Sequence, residues 1–132
     1  MSEDSEHQDD TVKRLIRLSG DECKAERAIQ RLHSIIEKMD VAGLKMESEV
    51  FKAMADRCRL TILRLLKEGE FCACEVTTAL GRPQSSISHH ITILKEAGLI
   101  NERKVGKWSR YRLSDGAVVE MMNLAELLAE RL

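Results

Sequence analysis

Apolar residues recur every three or four positions along most of this chain, and that spacing predicts amphipathic helices. After a break at Ser19 and Gly20, a long helix is predicted over residues 21–43 and ends at Gly43. Its apolar face carries Ala25, Ile29, Leu32, Ile36 and Met39. Further helices are predicted over residues 48–55, 57–67, 74–80 and 84–97, with Asp56 as the cap of the second of them. A last helix follows the cap at Ser114 and Asp115.

The pattern changes after Gly98. Residues 99–104 and 108–113 are predicted to be two strands, joined by a turn at Val105, Gly106 and Lys107 in which the glycine takes a positive φ. The fold class that follows is mainly α with a two-stranded β-wing. A short helix, a glycine turn, a longer helix and then a hairpin is the order of a winged helix-turn-helix.

Three regions are expected along the 132 residues. Residues 1–20 are predicted to be an acidic and mostly disordered N-terminus, because residues 1–10 are nearly devoid of apolar side chains. Within it, the apolar segment from Thr11 to Leu18 is predicted to be a short amphipathic turn of helix that Ser19 and Gly20 end. Residues 21–43 form the amphipathic N-terminal helix, whose apolar face is expected to contribute to a homodimer. Residues 44–132 are expected to form the winged helix-turn-helix domain for DNA binding and dimerisation.

The distribution of charge favours a nucleic-acid partner more than its total does. The formal net charge is −1, which alone argues weakly against DNA binding. Residues 82–112, however, contain seven basic residues against only Glu96 and Glu102. This positive region includes the helix predicted over residues 84–97, which is the recognition helix of the helix-turn-helix, and the wing. DNA phosphates are expected to lie against both.

The helix over residues 84–97 has two different faces. Ile87, Ile91 and Leu94 share one side and are predicted to pack inward. The other side carries small polar groups suited to base edges, and the wing carries basic groups suited to phosphates. The predicted DNA-binding residues are Gln84, Ser85, Ser88, His89 and Thr92 on the helix, with Arg103, Lys104, Lys107 and Arg110 on or beside the wing.

Several classes of protein are disfavoured. We expect no enzyme, because the chain has no glycine-rich phosphate loop and no recognisable set of nucleophile, base and acid. We expect a cytoplasmic protein without membrane contact, because no signal peptide or long apolar run is present. Four cysteines in a reducing compartment then point to thiol chemistry or metal ligation, or else to plain buried side chains.

From about residue 49 to residue 128, the sequence resembles the ArsR/SmtB family of metal-responsive repressors. The resemblance implies a homodimer that binds an imperfect palindrome in double-stranded operator DNA and leaves it when an inducer binds. The segments that carry it are Phe51–Asp56, Arg59–Leu63, Phe71–Val76, Gln84–His90, Leu94–Leu99, Arg103–Trp108 and Tyr111–Leu113.

The resemblance places the inducer site at Cys72 and Cys74, where the arsenic, cadmium and lead sensors of that family have a Cys-x-Cys pair. Residues two apart on a regular helix project about 200° from each other, so both thiolates reach one ion only if the first turn is non-helical or distorted. The implied inducer is As(III) or another thiophilic ion, with Sb(III), Cd(II) and Pb(II) as possibilities.

The ligand set implied by the resemblance is incomplete here. Arsenic sensors often carry a third cysteine where this chain has Thr77. Cys23 and Cys58 are candidate third ligands, and Cys23 is preferred because Cys58 falls in a helix that should be mostly core. The family's other site, on the last helix, is not expected, because Ala117, Leu128 and Arg131 stand where its ligands would be.

Two further hypotheses stay open at this point. The thiols are a redox switch in one, with oxidation replacing metal binding. The other is a dimeric interaction module without DNA binding, built on the apolar terminal helices. A metal site made by His89 and His90 is disfavoured, because the two side chains project in different directions from the helix.

Overall fold

The computed structural model describes the backbone of residues 2–20 and 22–132, and the side chains of residues 10–18, 20 and 22–132. These residues form helices and a small sheet, and two compact units are distinguished, Met1–Leu44 and Lys45–Leu132. The elements in order are α1 Ser2–Ser19, α2 Glu22–Glu37, α3 Val41–Met54, α4 Arg57–Lys67, β1 Phe71–Cys72, α5 Ala73–Leu80, α6 Gln84–Glu96, β2 Ile100–Val105, β3 Trp108–Leu113 and α7 Gly116–Ala129.

The start of the chain differs from the prediction. Residues 1–10 were expected to be disordered and only residues 11–18 to be helical, but α1 spans Ser2–Ser19. The helix ends at Gly20, which has a φ of 64°, as the sequence predicted. Residues 2–19 contain no glycine or proline, so nothing stops the helix of the apolar segment from extending toward the N-terminus. The acidic residues lie in the first half and the basic ones in the second, which suits the helix dipole.

The prediction of one long helix over residues 21–43 is also wrong in part. The structure has α2 over Glu22–Glu37, and a new helix, α3, begins at Val41 and continues through Gly43. Gly43 lies against the Asp40 side chain, since a Cβ at this glycine would stand 2.6 Å from Asp40 Oδ2. The glycine therefore gives room to a carboxylate at the start of α3 instead of ending a helix, and α3 extends to Met54.

The core of the second unit is aliphatic and is formed by α3 to α7 with the sheet. Ile62, Leu63, Ile87 and Leu94 are completely buried in it. Asp56 caps α4 by accepting the Arg59 N–H at 3.0 Å, and Asp115 caps α7 by accepting the Ala117 N–H at 2.8 Å. Both caps were predicted from the sequence, and the structure confirms them.

The sheet has one strand more than predicted. The hairpin of β2 and β3 is confirmed, with Gly106 at a φ of 61° in its turn. No strand was predicted at Phe71–Cys72, but these residues pair with β3, and the strand order is β1-β3-β2. A strand of two residues is too short to show an alternation of apolar and polar positions. Its pairing depends on a partner strand about forty residues further along the chain.

Among the described residues, no helix has the length and hydrophobicity needed to cross a lipid bilayer.

Candidate nucleic-acid interface and thiol site

Helices α5 and α6 form the helix-turn-helix. Helix α5 ends at Gly81, which has a φ of 64° and donates its N–H to the Thr77 carbonyl at 2.9 Å. Pro83 then stands immediately before α6, where its missing N–H costs no hydrogen bond. Ile87, Ile91 and Leu94 are buried, so the predicted inward face of α6 is confirmed.

The opposite face of α6 is open to solvent. The Thr92 hydroxyl donates to the Ser88 carbonyl at 2.9 Å. Gln84 is the first residue of the helix. A face of small donors and acceptors on an exposed helix has the chemistry needed to contact base edges. All five residues that the sequence selected are exposed, as are Lys95 and Glu96 in the last turn; the five are Gln84, Ser85, Ser88, His89 and Thr92.

His90 points the other way, as the sequence predicted, and its side chain is only 14% exposed. Its Nδ1 lies 3.2 Å from Arg59 Nη1 and 4.0 Å from Asp56 Oδ2. Ligand atoms of Asp56, Cys58 and His90 lie within 4.8 Å of one another. The Arg59 guanidinium is already hydrogen-bonded to Nδ1 of His90. Its positive charge disfavours a metal cation beside that nitrogen.

The burial of His90 has a consequence for stability. Burial lowers the pKa of His90 below its ordinary value of 6.5, and the nearby Arg59 acts in the same direction against the raising effect of Asp56. As the pH falls below 6.5, His90 therefore binds a proton more readily in the unfolded chain than in the folded chain, and this difference favours unfolding. We expect the free energy of unfolding, from urea denaturation, to be smaller at pH 5.5 than at pH 7.5 (about one pH unit either side of the ordinary His value).

Replacing His90 with glutamine should flatten this dependence, and replacing the exposed His89 with glutamine should leave it in place. Carboxylates whose pKa is lowered, such as Glu70 and Asp56, lose their contribution only when the pH falls further, toward and below their ordinary values of 4.5 and 3.8. An equally steep dependence in the His90→Gln protein would contradict the assignment.

The basic residues of the wing fall into two groups. Lys104 and Lys107 are exposed on the hairpin. Arg103 and Arg110 are instead held by Glu70, since the Arg103 Nε donates to Glu70 Oε1 at 2.9 Å and the Arg110 Nη2 donates to the Glu70 carbonyl at 2.8 Å. The sequence reasoning missed Glu70, because its partners are 33 and 40 positions away and no local pattern connects them.

The wing is also tied to the recognition helix. Lys95, in the last turn of α6, forms an ion pair with Glu102 on β2, and Ser109 on β3 donates to the same carboxylate. The Lys95 hydrogen bond lowers the pKa of Glu102 and raises the pKa of Lys95. The two parts expected to contact DNA are therefore joined through side chains.

Cys72 stands in extended backbone, with φ −84° and ψ 163°, and α5 begins one residue later at Ala73. Cys72 and Cys74 reach one ion only if the first turn is non-helical or distorted, and the extended backbone at Cys72 meets that requirement. Glu75 accepts the Cys72 N–H at 3.0 Å. This hydrogen bond, with Arg110 nearby, lowers the pKa of Glu75.

Cys72 and Cys74 line the same open recess, of about 340 Å³, against the wing. Its other lining residues are Val105, Trp108 and Arg110. Two thiols beside an apolar wall form a donor set suited to a thiophilic ion. Both thiols are accessible, since Cys72 is half-buried and Cys74 is exposed.

The other candidate ligands lie elsewhere. Cys58 is buried in the core and borders a different recess, between α4 and the end of α5. Cys23 is exposed on α2, in the first unit. Thr77, at the third-cysteine position, has a hydroxyl oxygen that is buried without a hydrogen-bond partner in the part of the chain that the structure describes.

Comparison with known proteins agrees with this architecture. The family model described as "Bacterial regulatory protein, arsR family" matches residues 56–102. An uncharacterized HTH-type transcriptional regulator of Methanocaldococcus jannaschii is 45% identical over 82 residues, which cover 61% of this chain and 92% of the relative. This chain belongs to the arsR family of bacterial regulatory proteins.

Two further proteins are similar to parts of this chain. The arsenical resistance operon repressor of Escherichia coli is 51% identical over 67 residues, half of this chain and 57% of the repressor. A solved homodimeric winged helix-turn-helix DNA-binding domain from Mycobacterium bovis, a possible ArsR-family regulator, superimposes with a TM-score of 0.66 at 31% identity, covering 70% of this chain and 86% of that one.

Family membership confirms the winged helix-turn-helix fold and a role in transcription regulation through DNA binding. Members of the arsR family are regulators, not enzymes, as expected from the sequence. Family membership therefore favours the hypothesis of a DNA-binding regulator over that of an interaction module without DNA binding.

Proposed function

We propose that this arsR-family protein is a cytoplasmic, homodimeric repressor that leaves its operator when As(III), Sb(III) or another thiophilic ion binds Cys72 and Cys74. The observation that carries the proposal is the recess that Cys72 and Cys74 line together with residues of the wing. A ligand in this recess would lie against Trp108 and Arg110 of β3, the hairpin strand that pairs with β1.

DNA binding is assigned to the exposed face of α6 and to the basic wing. Helix α6 is held from behind by its buried leucine and isoleucine residues, so its polar face has a defined position. Base contacts are proposed for Gln84, Ser85, Ser88, His89 and Thr92, and phosphate contacts for Arg103, Lys104, Lys107 and Arg110. Because phosphate contacts release counterions, log Kd for the promoter DNA should rise steeply with log salt.

The inducer assignment depends on the donor set. Thiolates select soft ions such as As(III), Cd(II) and Pb(II) over hard ones, and the arsenical resistance repressor of Escherichia coli is a relative of this chain. When bound, the ion would join the thiolate of Cys72, on β1, to that of Cys74, in the first turn of α5. Cys23 is proposed as a third ligand from the other subunit of the dimer, because Cys58 is buried and borders a separate recess.

The test combines two measurements on the reduced protein under anaerobic conditions. Sulfur-to-metal charge-transfer absorbance should appear on titration with As(III), Cd(II) or Pb(II). The fluorescence anisotropy of a labelled promoter fragment should fall over the same range of concentration. Absence of both signals with every thiophilic ion would refute the sensing part of the proposal, whereas a salt-dependent DNA complex would still support the regulatory part.

A redox switch is the second candidate, because the two accessible thiols share one recess. Oxidation would then join or modify Cys72 and Cys74 without a metal. Release of DNA by peroxide that dithiothreitol reverses, with no response to thiophilic ions, would select this alternative.

The homodimer is proposed to use α7, which carries exposed leucines. Leu124 and Leu128 are 61% and 64% exposed, and they are four positions apart on the helix, so they share one face. We expect the double variant Leu124→Glu, Leu128→Glu to raise the dimer dissociation constant by about 100-fold or more, since each buried leucine contributes about 1.5–3 kcal/mol.

Sedimentation velocity measures this change. The variant Asn123→Glu is the control, because it adds a negative charge at an exposed polar position of the same helix without removing a leucine. An unchanged dimer in the double variant would place the interface elsewhere, and the apolar residues of α2 would then be the next surface to change.

A further inference from the structure

Glu70 lies in the short connection between α4 and β1, and two wing arginines share its carboxylate. The Nε of Arg103 is 2.9 Å from Glu70 Oε1, and the Nε of Arg110 is 3.7 Å from the same oxygen. Arg110 also donates from Nη2 to the Glu70 carbonyl at 2.8 Å. Both the side chain and the backbone of Glu70 are therefore bound to the wing.

The two arginines need this carboxylate. Arg103 and Arg110 stand directly opposite each other in the ladder of β2 and β3, and like charges at such positions repel. Glu70 lies between them and offsets the repulsion. The hydrogen bond from Arg103, with the charges of Arg110 and Arg112, lowers the pKa of Glu70, so the carboxylate is ionised at neutral pH.

Arg110 also contacts the segment that carries the thiols. Cys72 is its partner in the ladder of β1 and β3. Glu75, which accepts the Cys72 N–H, has its Oε1 3.6 Å from Arg110 Nη1. The guanidinium of Arg110 thus lies between two carboxylates, Glu70 before Cys72 and Glu75 after it, and it also lines the recess of the thiols.

We propose that Glu70 is a positioning residue that competes with DNA phosphates for Arg103 and Arg110 and so links the wing's DNA affinity to the position of the Cys72 segment. This inference rests on the proposed function, because it concerns the same DNA contacts and the same thiols. Carboxylate and phosphate bind a guanidinium with the same geometry, and one arginine cannot satisfy both fully. Glu70 therefore withholds positive charge from DNA to a degree that depends on where β1 lies.

The experiment compares Glu70→Gln with two controls. Glutamine keeps the shape of Glu70 but removes the charge that holds the arginines. Glu68→Gln makes the same change of net charge two positions earlier, at an exposed side chain with no ion pair in the described part of the chain. Glu70→Asp keeps the charge, so it should bind DNA much as the wild type does.

The readout is the Kd for promoter DNA at several salt concentrations, without metal. For Glu70→Gln we expect binding roughly tenfold tighter than wild type and a salt slope steeper by about one, as for one additional phosphate contact. Glu68→Gln should change the Kd by far less. A change of Kd that is equal in both glutamine variants, or weaker binding by a folded Glu70→Gln protein, would overturn the proposal.

The link to the thiols has a second readout. We expect As(III) to weaken the DNA complex of Glu70→Gln by a smaller factor than that of the wild type or Glu68→Gln, while the charge-transfer titration shows an unchanged affinity for As(III). An unchanged factor would overturn the link. If the wild type bound no DNA, the proposed function and this inference would both fall; if it bound DNA but ignored As(III), only the sensing part would fall, and the metal-free comparison would still decide the role of Glu70.

Discussion

Replacing Cys72 and Cys74 together with serine is expected to leave the operator complex intact at inducer concentrations that release the wild type. Typical coupling between two sites is about 1–3 kcal/mol, which corresponds to a roughly 5- to 150-fold loss of DNA affinity on inducer binding. In the double variant the factor should be close to one, because a hydroxyl is a poor ligand for a soft ion. Anisotropy titration of promoter DNA with and without As(III) measures both factors.

The double variant should bind DNA without inducer as tightly as the wild type does, because neither thiol is part of the buried core. Cys58→Ala provides the contrast, since Cys58 is buried and borders another recess. It should still be released by As(III). Normal release of the Cys72→Ser, Cys74→Ser protein would contradict the site, and loss of release in Cys58→Ala would assign that thiol as a ligand.

The second large effect is expected at Leu94, which lies on the inward face of the recognition helix and is completely buried. Leu94→Ala removes buried methyl groups and leaves a cavity, at a cost of about 2–5 kcal/mol. This is a large part of the 5–15 kcal/mol that ordinarily separates folded from unfolded protein (roughly, for a small domain). Urea denaturation at one fixed protein concentration measures the loss, because a dimer's stability depends on concentration.

Leu18→Ala is the matched control, since it makes the same substitution at a side chain that is 85% exposed. Its effect on the free energy of unfolding should stay within about 0.5 kcal/mol. A loss below about 1 kcal/mol for Leu94→Ala would mean that the core collapses around the cavity. In that event α6 would be held less by its buried face than the structure indicates.

The helical part of the DNA-binding unit was predictable because its signals are local. Asp56 and Asp115 are capping residues placed directly before apolar segments, and Ile87, Ile91 and Leu94 recur at helical spacing. Gly106 between two alternating segments revealed the wing. Each of these features depends on residues within a few positions of one another, and the structure confirms all of them.

The errors arose where a local signal had two meanings. Gly43 was interpreted as the end of a helix, but it lies inside α3 and makes room for the Asp40 carboxylate. The acidic residues before Thr11 were interpreted as disordered, but they start α1, where negative charge favours a helix N-terminus. Composition alone does not separate these alternatives.

The sequence by itself determined the helix-turn-helix and the wing, because periodicity, caps and turns are encoded by neighbouring residues. The two thiols proposed as a sensor were selected by the family resemblance. Only the tertiary structure decided that Phe71–Cys72 is a strand, that Trp108 and Arg110 face the thiols, and that Glu70 holds two arginines of the wing. These contacts join residues more than thirty positions apart. Such pairs meet only after the core has brought the segments together, so no local pattern records them.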